Sequence, residues 1–133
     1  MESMMGTIEA GASFEPDTAS VPAARQLVLG CPALRDGPAS TRDVVALLVS
    51  ELAANAVNHA GTPFTVQLQL LEAGTVVHVE VADASTRLPR PHAPSIDVPT
   101  GRGLSIVDRL ADRWGFSVVP DGKCVWFEVA LDT

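Results

Sequence analysis

The stretch from Phe64 to Asp83 leaves this chain the fewest folding choices. Phe64-Thr-Val-Gln-Leu-Gln-Leu70 alternates apolar and polar residues, and Val76-Val-His-Val-Glu-Val-Ala-Asp83 alternates again. A period of two marks a half-buried strand, because successive side chains point to opposite faces. Glu72-Ala-Gly74 between them is a short turn, so the two strands are predicted to pair as an antiparallel hairpin. A second hairpin is predicted from Phe116–Val119 and Cys124–Leu131 around Pro120-Asp-Gly122. Thr7–Phe14 carries a weaker strand pattern, broken by Gly11 and ended by Pro16.

Three helices are expected beside these strands. The first covers Val21–Cys31, with Ser20 as N-cap, Pro22 in the first turn, and Gly30 and Pro32 as the stop. Asp36–Ser40 reads as a linker. Ser40-Thr-Arg-Asp43 then resembles a capping box, with Asp43 in the first turn. Val44, Val45, Leu47, Leu48, Val49 and Leu52 give this second helix a wide apolar surface. It should run to Asn58 or Ala60 and stop before Gly61 and Pro63. The third opens at Gly101-Arg-Gly103, carries Leu104, Val107, Leu110, Ala111 and Trp114 at helical spacing, and takes Gly115 as its C-cap. Residues 1–6 read as a loose tail. Residues 84–100 hold four prolines, and loops of that length in a compact domain are lids or disordered.

At 133 residues, 47% apolar and 19% charged, the chain suits one domain with one core. The expected fold is a two-layer α/β sandwich, with a mixed, mostly antiparallel sheet covered on one face by three helices. A net charge of −7, with nine scattered Lys and Arg, argues against direct nucleic-acid binding. Cys31 and Cys124 form no C-x-x-C pair and read as reduced thiols of an intracellular, cytoplasmic protein. No apolar run reaches the ~18 residues of a membrane span, and the N-terminus lacks the pattern of a signal peptide.

The polar residues with chemistry to offer fall in three places. Glu51 and Asn55 are four apart, so they share a helix face, and Asn58 and His59 extend it by a turn. A carboxylate beside a neutral oxygen ligand suits a magnesium–nucleotide site, because magnesium takes hard oxygen ligands and few protein contacts. Asp83 ends a strand. Gly101-x-Gly103 precedes a helix, where backbone N–H groups can approach phosphate oxygens. Alone, each has an ordinary explanation: a solvated helix face, a turn initiator, loop punctuation.

Their order and spacing resemble the GHKL ATPase superfamily and its Bergerat ATP-binding fold. The carrying residues are Val49-Ser-Glu51-Leu-Ala-Ala-Asn55-Ala-Val-Asn-His59-Ala, then Val81-Ala-Asp83-Ala-Ser85, then Gly101-Arg-Gly-Leu-Ser-Ile-Val-Asp108 with Ala111-Asp-Arg-Trp-Gly115, then Gly122-Lys-Cys-Val-Trp-Phe-Glu-Val129. Within that superfamily the chain most resembles small actinobacterial regulators related to the anti-sigma factor serine kinases of the RsbW and SpoIIAB type. The resemblance covers roughly Phe14 to Val129. It implies ATP and Mg²⁺ as cofactors, Glu51 as the base that polarises the attacking hydroxyl, and Asn55 as the magnesium ligand. It implies that Asn58 and His59 line the phosphate pocket and that Asp83 receives the adenine amino group. Ser85 would then lie against adenine. Gly101, Arg102, Gly103 and Leu104 would hold the phosphates, and residues 84–100 would form the ATP lid.

The implied activity is that of an anti-sigma factor and serine/threonine protein kinase acting in transcription regulation. Its partners would be a sigma factor and a STAS-type anti-anti-sigma protein, with a homodimer as the assembly and no membrane. Two positions depart from the family pattern. Ser85 stands where the family has glycine, and Cys124 stands, two residues after Gly122, where the family has a threonine hydroxyl. Each change removes about 0.5–1.5 kcal/mol of hydrogen bonding. They favour an alternative reading, a partner-sequestering module with weak or no ATP binding and no kinase activity. A more distant alternative is the detached catalytic domain of a histidine kinase. Elsewhere, His78 is expected at an exposed or edge position and His92 solvated in the lid. Trp114 and Trp126 are expected in the core, and Asp108, Asp112 and Asp121 on a solvated face.

Overall fold

The structure, a computed structural model, describes residues 7–85 and 99–131, with the backbone alone at 7, 99–104 and 119. Its elements in chain order are β1 (Thr7–Phe14), α1 (Ser20–Leu29), α2 (Pro32–Arg35) and α3 (Ala39–Asn55). A π-helical turn (Ala56–Ala60), β2 (Phe64–Leu71), β3 (Val76–Asp83), α4 (Pro99–Leu110), β4 (Arg113–Val119) and β5 (Gly122–Ala130) follow. The five strands form one sheet in the order β1-β2-β3-β5-β4. All four pairings are antiparallel, so the sheet is purely rather than mostly so.

Alternation along the strands decides which face is covered. Phe64, Val66 and Leu68 of β2, Val77, Val79 and Val81 of β3, and Val125, Phe127 and Val129 of β5 are all buried. Their register partners stand side by side across the sheet, as in Leu68↔Val79↔Phe127. Against this face α1 and α3 lay Ala24, Val28, Val45, Leu48, Val49, Leu52 and Ala53, and α4 adds Val107. The result is one core between one sheet and one helical layer. Such layering is what a sheet with a single apolar face requires.

The opposite face carries Gln67, Gln69, His78, Glu80, Cys124, Trp126 and Glu128. His78 is neither exposed nor at an edge. It lies on the central strand, 12% exposed, with Nδ1 2.8 Å from Glu128 Oε2 and Nε2 2.8 Å from Glu80 Oε2. Its ring stacks on Trp126 at 5.4 Å, so Trp126 packs outside the core.

Several helix ends differ from the sequence reading, because backbone geometry rather than a side chain sets them. Ser20 is the first residue of α1 and not its cap; its hydroxyl donates to the carbonyl of Glu15 at 2.7 Å. The segment Pro32–Arg35 adds a short helix not expected from the sequence. Helix α3 starts at Ala39 behind Pro38, without a side-chain cap, and Asp43 lies past its first turn. Helix α4 starts at Pro99 and ends at Leu110, so Trp114 and Gly115 belong to β4. Gly115 is needed there for another reason: a Cβ would meet the Trp126 ring at 2.8 Å. Asp112 and Asp108 are engaged rather than merely solvated, accepting from the Ala130 N–H at 2.7 Å and from Trp114 Nε1 at 2.8 Å. Both cysteines are free thiols, and no helix among the described residues is long and apolar enough to cross a membrane.

Candidate functional site

Helix α3 supplies the first part of the site. Its buried residues Val45, Leu48, Val49, Leu52 and Ala53 face the sheet, which turns the half-buried Glu51 and Asn55 to the flank. Asn55 is the last α-helical residue. The backbone then widens by one residue per turn, and the N–H of Gly61 reaches the carbonyl of Ala56 at 3.2 Å. Gly61 closes this π turn in the left-handed conformation at φ 68°. π turns are rare and concentrate at functional sites. Here the turn carries Asn58, exposed, and His59, half-buried, and it packs against β3.

Asp83 supplies the second part, at the last residue of β3. It shares the covered face with Val77, Val79 and Val81, and its side chain is only 6% exposed. A buried carboxylate needs partners. Oδ1 accepts from the Ser85 N–H at 2.8 Å, and Lys123 Nζ stands 3.1 Å from both Oδ1 and Oδ2. The strand pairing aligns Asp83 with Lys123. Gly122 makes this close approach feasible, because any Cβ there would collide with the Asp83 carbonyl oxygen and come within 2.8 Å of the Ala84 Cα.

Cys124 is not brought to Asp83. It is one residue beyond Lys123, so it faces the other side of the sheet, with Sγ 3.7 Å from Glu80 Oε1. Burial, together with the charge of Glu80, its hydrogen bond to Sγ and the more distant charge of Asp83, pushes the Cys124 thiol up to about 12. It is a protonated, outward-facing thiol. The position immediately after Gly122 is the one that meets the carboxylate, and Lys123 holds it.

The third part is α4, whose backbone places Gly101 and Gly103 in its first turns, two residues later in the helix than expected. The first four N–H groups of a helix have no partner within it and favour anions. The side chains of Arg102 and Leu104, the lid residues 86–98 with His92, and the tail 1–6 lie outside the described residues. Helix α4 packs on α3, and α3 and its π turn pack on β3. Glu51 with Asn55, Asp83 and Gly101 with Gly103 therefore lie on elements joined through α3. Among the described residues no cluster of three His, Cys, Asp or Glu could hold a metal alone. Any Mg²⁺ held here would rely on few protein ligands, which suits an ion that keeps water and phosphate oxygens.

A family model described as the histidine kinase-like ATPase domain matches residues 14–129. The chain belongs to this family. An uncharacterized protein of Streptomyces coelicolor is 34% identical over 86 residues, spanning 62% of this chain and 81% of that protein. Among solved structures, the RsbU and RsbW domains of Rv1364c from Mycobacterium tuberculosis align with a TM-score of 0.67 at 16% identity. That alignment takes in 91% of this chain but only 32% of the mycobacterial one. The catalytic domain of the histidine kinase ThkA aligns with a TM-score of 0.53 at 15% identity, over 91% of this chain and 97% of that domain. The blue-light-activated histidine kinase of Erythrobacter litoralis aligns with a TM-score of 0.52 at 23% identity, over 71% and 46%. At these identities the structures establish the shared fold. In this histidine kinase-like ATPase domain the donor and acceptor set fits a purine nucleotide: an acceptor-only carboxylate for an exocyclic amine, and a helix N-terminus for phosphates.

Proposed function

We propose that the chain is an ATP-binding regulator that acts as an anti-sigma factor and as a serine/threonine kinase toward an anti-anti-sigma antagonist. The observation that carries the ATP part is Asp83, a carboxylate buried at the end of a central strand on the helix-covered face. The likeness to a structure that includes an RsbW domain supports the regulatory part. In this reading Asp83 receives the adenine amino group, the first turns of α4 hold phosphate oxygens, and Asn55 contributes an oxygen to Mg²⁺. Bound ATP supplies the phosphoryl group. Glu51 accepts the proton of the attacking hydroxyl, a role that requires hydrogen-bond reach to it, while positioning and charge stabilisation supply most of the rate. The phosphate placed on the antagonist would disable it and leave the regulator free to hold a sigma factor. The reading places the protein in the cytoplasm, as a homodimer.

A second reading has one specific observation behind it. Lys123 already pairs with Asp83, and a site so occupied favours a sequestering module that binds nucleotide weakly and transfers no phosphate. Calorimetric titration with ATP and Mg²⁺ separates the two. The kinase reading expects saturable heat, retained in Glu51→Ala while phosphate transfer to the antagonist falls by at least about a hundredfold. Absence of heat at millimolar nucleotide would sink it.

A further inference from the structure

Lys123 stands beside Asp83 in the strand register, and its geometry bears on nucleotide affinity. We infer that Lys123 is an affinity-setting residue of the base pocket, whose ammonium competes with the purine's exocyclic amine for Asp83. The inference rests on the ATP reading of the site.

The hydrogen-bond accounting at Asp83 is tight. A carboxylate has about four acceptor positions. Oδ1 takes the Ser85 N–H at 2.8 Å and Lys123 at 3.1 Å, and Oδ2 takes Lys123 at 3.1 Å. Among the described residues these contacts leave one position on Oδ2, on a side chain that is 6% exposed. Lys123 is itself only 13% exposed, and lysine is almost never so covered without a partner. The two groups are therefore bound to each other by mutual need. An ammonium makes a charge-assisted hydrogen bond, roughly twice as strong as one from a neutral amine. An adenine N6 amine cannot displace it on equal terms.

The placement is built into the strands. Lys123 follows Gly122, whose missing Cβ lets β5 begin directly against the Asp83 carbonyl. The register Asp83↔Lys123 then sets both side chains on the helix-covered face, in the row of Phe64. Val125, Phe127 and Val129 continue that face along β5, so the lysine stem cannot swing to the other side without breaking the alternation. In this arrangement the base alone gains little from Asp83. Binding must draw on the phosphates at α4, so adenosine should be a far poorer ligand than its triphosphate.

The test is calorimetric titration of ATP with Mg²⁺, and of adenosine, into the full chain and its Lys123→Met and Lys123→Thr variants, with circular dichroism to confirm folding. Removing the ammonium leaves Asp83 waiting for a donor. The expected results are ATP binding about tenfold tighter in Lys123→Met, and adenosine binding measurable only in the variants. Lys123→Thr, with its shorter side chain, provides the same comparison if the methionine variant does not fold. The tightening should vanish when Asp83→Asn is added to Lys123→Met. Unchanged or weaker ATP binding in both Lys123 variants would overturn the inference while leaving the ATP reading intact. Tightening that survives Asp83→Asn would overturn it as well, because Lys123 would then act elsewhere. No ATP binding in the wild type or any variant would overturn the ATP reading and this inference together.

Discussion

Lys123 and Cys124 are neighbours in sequence and opposites in position, and the difference between them is the strand pleat. The offset of two from Gly122 points to Cys124 as the base-pocket residue. Counting back from Val125, Phe127 and Val129 in steps of two arrives at Lys123, which is where the structure has it. The signal was in the sequence, but it lay in the period of the strand rather than in the offset from a glycine. The outward position of Cys124 has a measurable effect. Its thiol, raised to about 12 chiefly by burial and then by Glu80, stays protonated at neutral pH, and the thiolate is the reactive form. Iodoacetamide at pH 8 should label it many times more slowly than it labels the urea-unfolded chain, as peptide mass mapping would show. The sign of the stability effect follows from proton binding. The unfolded thiol releases its proton near 9.0 and the folded one near 12, so the native state binds more protons between those values. The contribution is full below pH 9 and fades as pH rises toward 12. Cys124→Ala should flatten the alkaline fall of the urea midpoint; an equally steep fall would mean that other groups cause it.

At the level of elements, the strands were legible and the helix ends were not. Strands β2 and β3 carry strict alternation, because one face meets the core and the other does not. Helix α3 gives its start no side-chain signature, since Pro38 occupies the N-cap position and makes no side-chain hydrogen bond to it. Ser20 resembles a cap, but its hydroxyl is spent on Glu15. The π turn at Ala56–Ala60 leaves the spacing of apolar residues nearly unchanged, so only the backbone hydrogen bond from Gly61 to Ala56 reveals it. The β2–β3 turn is a further case. Glu72 and Ala73 adopt φ of 52° and 59°, the left-handed region, ahead of Gly74 at 86°. That conformation costs a residue bearing a Cβ about 1–2 kcal/mol, and Asn-Gly is the pair best suited to such turns. Replacing Glu72-Ala73 by Asn-Gly should therefore raise stability by about 1 kcal/mol in urea unfolding, with no change in nucleotide binding. A lower midpoint would show that the side chains of Glu72 and Ala73 stabilise the hairpin in ways the backbone does not reveal.

For the whole molecule, the single-faced architecture makes some positions decisive and others neutral. Among the described residues, the large buried apolar side chains lie between the sheet and one layer of helices, so a defect there falls in the core that holds the layers together. Phe127 is at the centre of that layer, wholly buried on β5 and in register with Val79 on one side and Trp114 on the other. Removing a buried aromatic side chain costs about 3–5 kcal/mol, against a total stability of about 5–15 kcal/mol for a typical domain. Val118, on the edge strand and 54% exposed, has little apolar surface removed from water. Phe127→Ala should lower the urea midpoint steeply while leaving the m-value unchanged, whereas Val118→Ala should stay within about 0.5 kcal/mol of wild type. The same layering links the core to the proposed site, since Phe127 shares β5 with Lys123 and its partner Val79 shares β3 with Asp83. A cavity at Phe127 that shifted the two strands relative to each other would weaken the Asp83–Lys123 pair too, and ATP affinity would change. If the strands hold their register, Phe127→Ala will lose stability and keep its affinity for ATP. Measuring both quantities on one variant shows whether the core only supports the site or also sets its geometry.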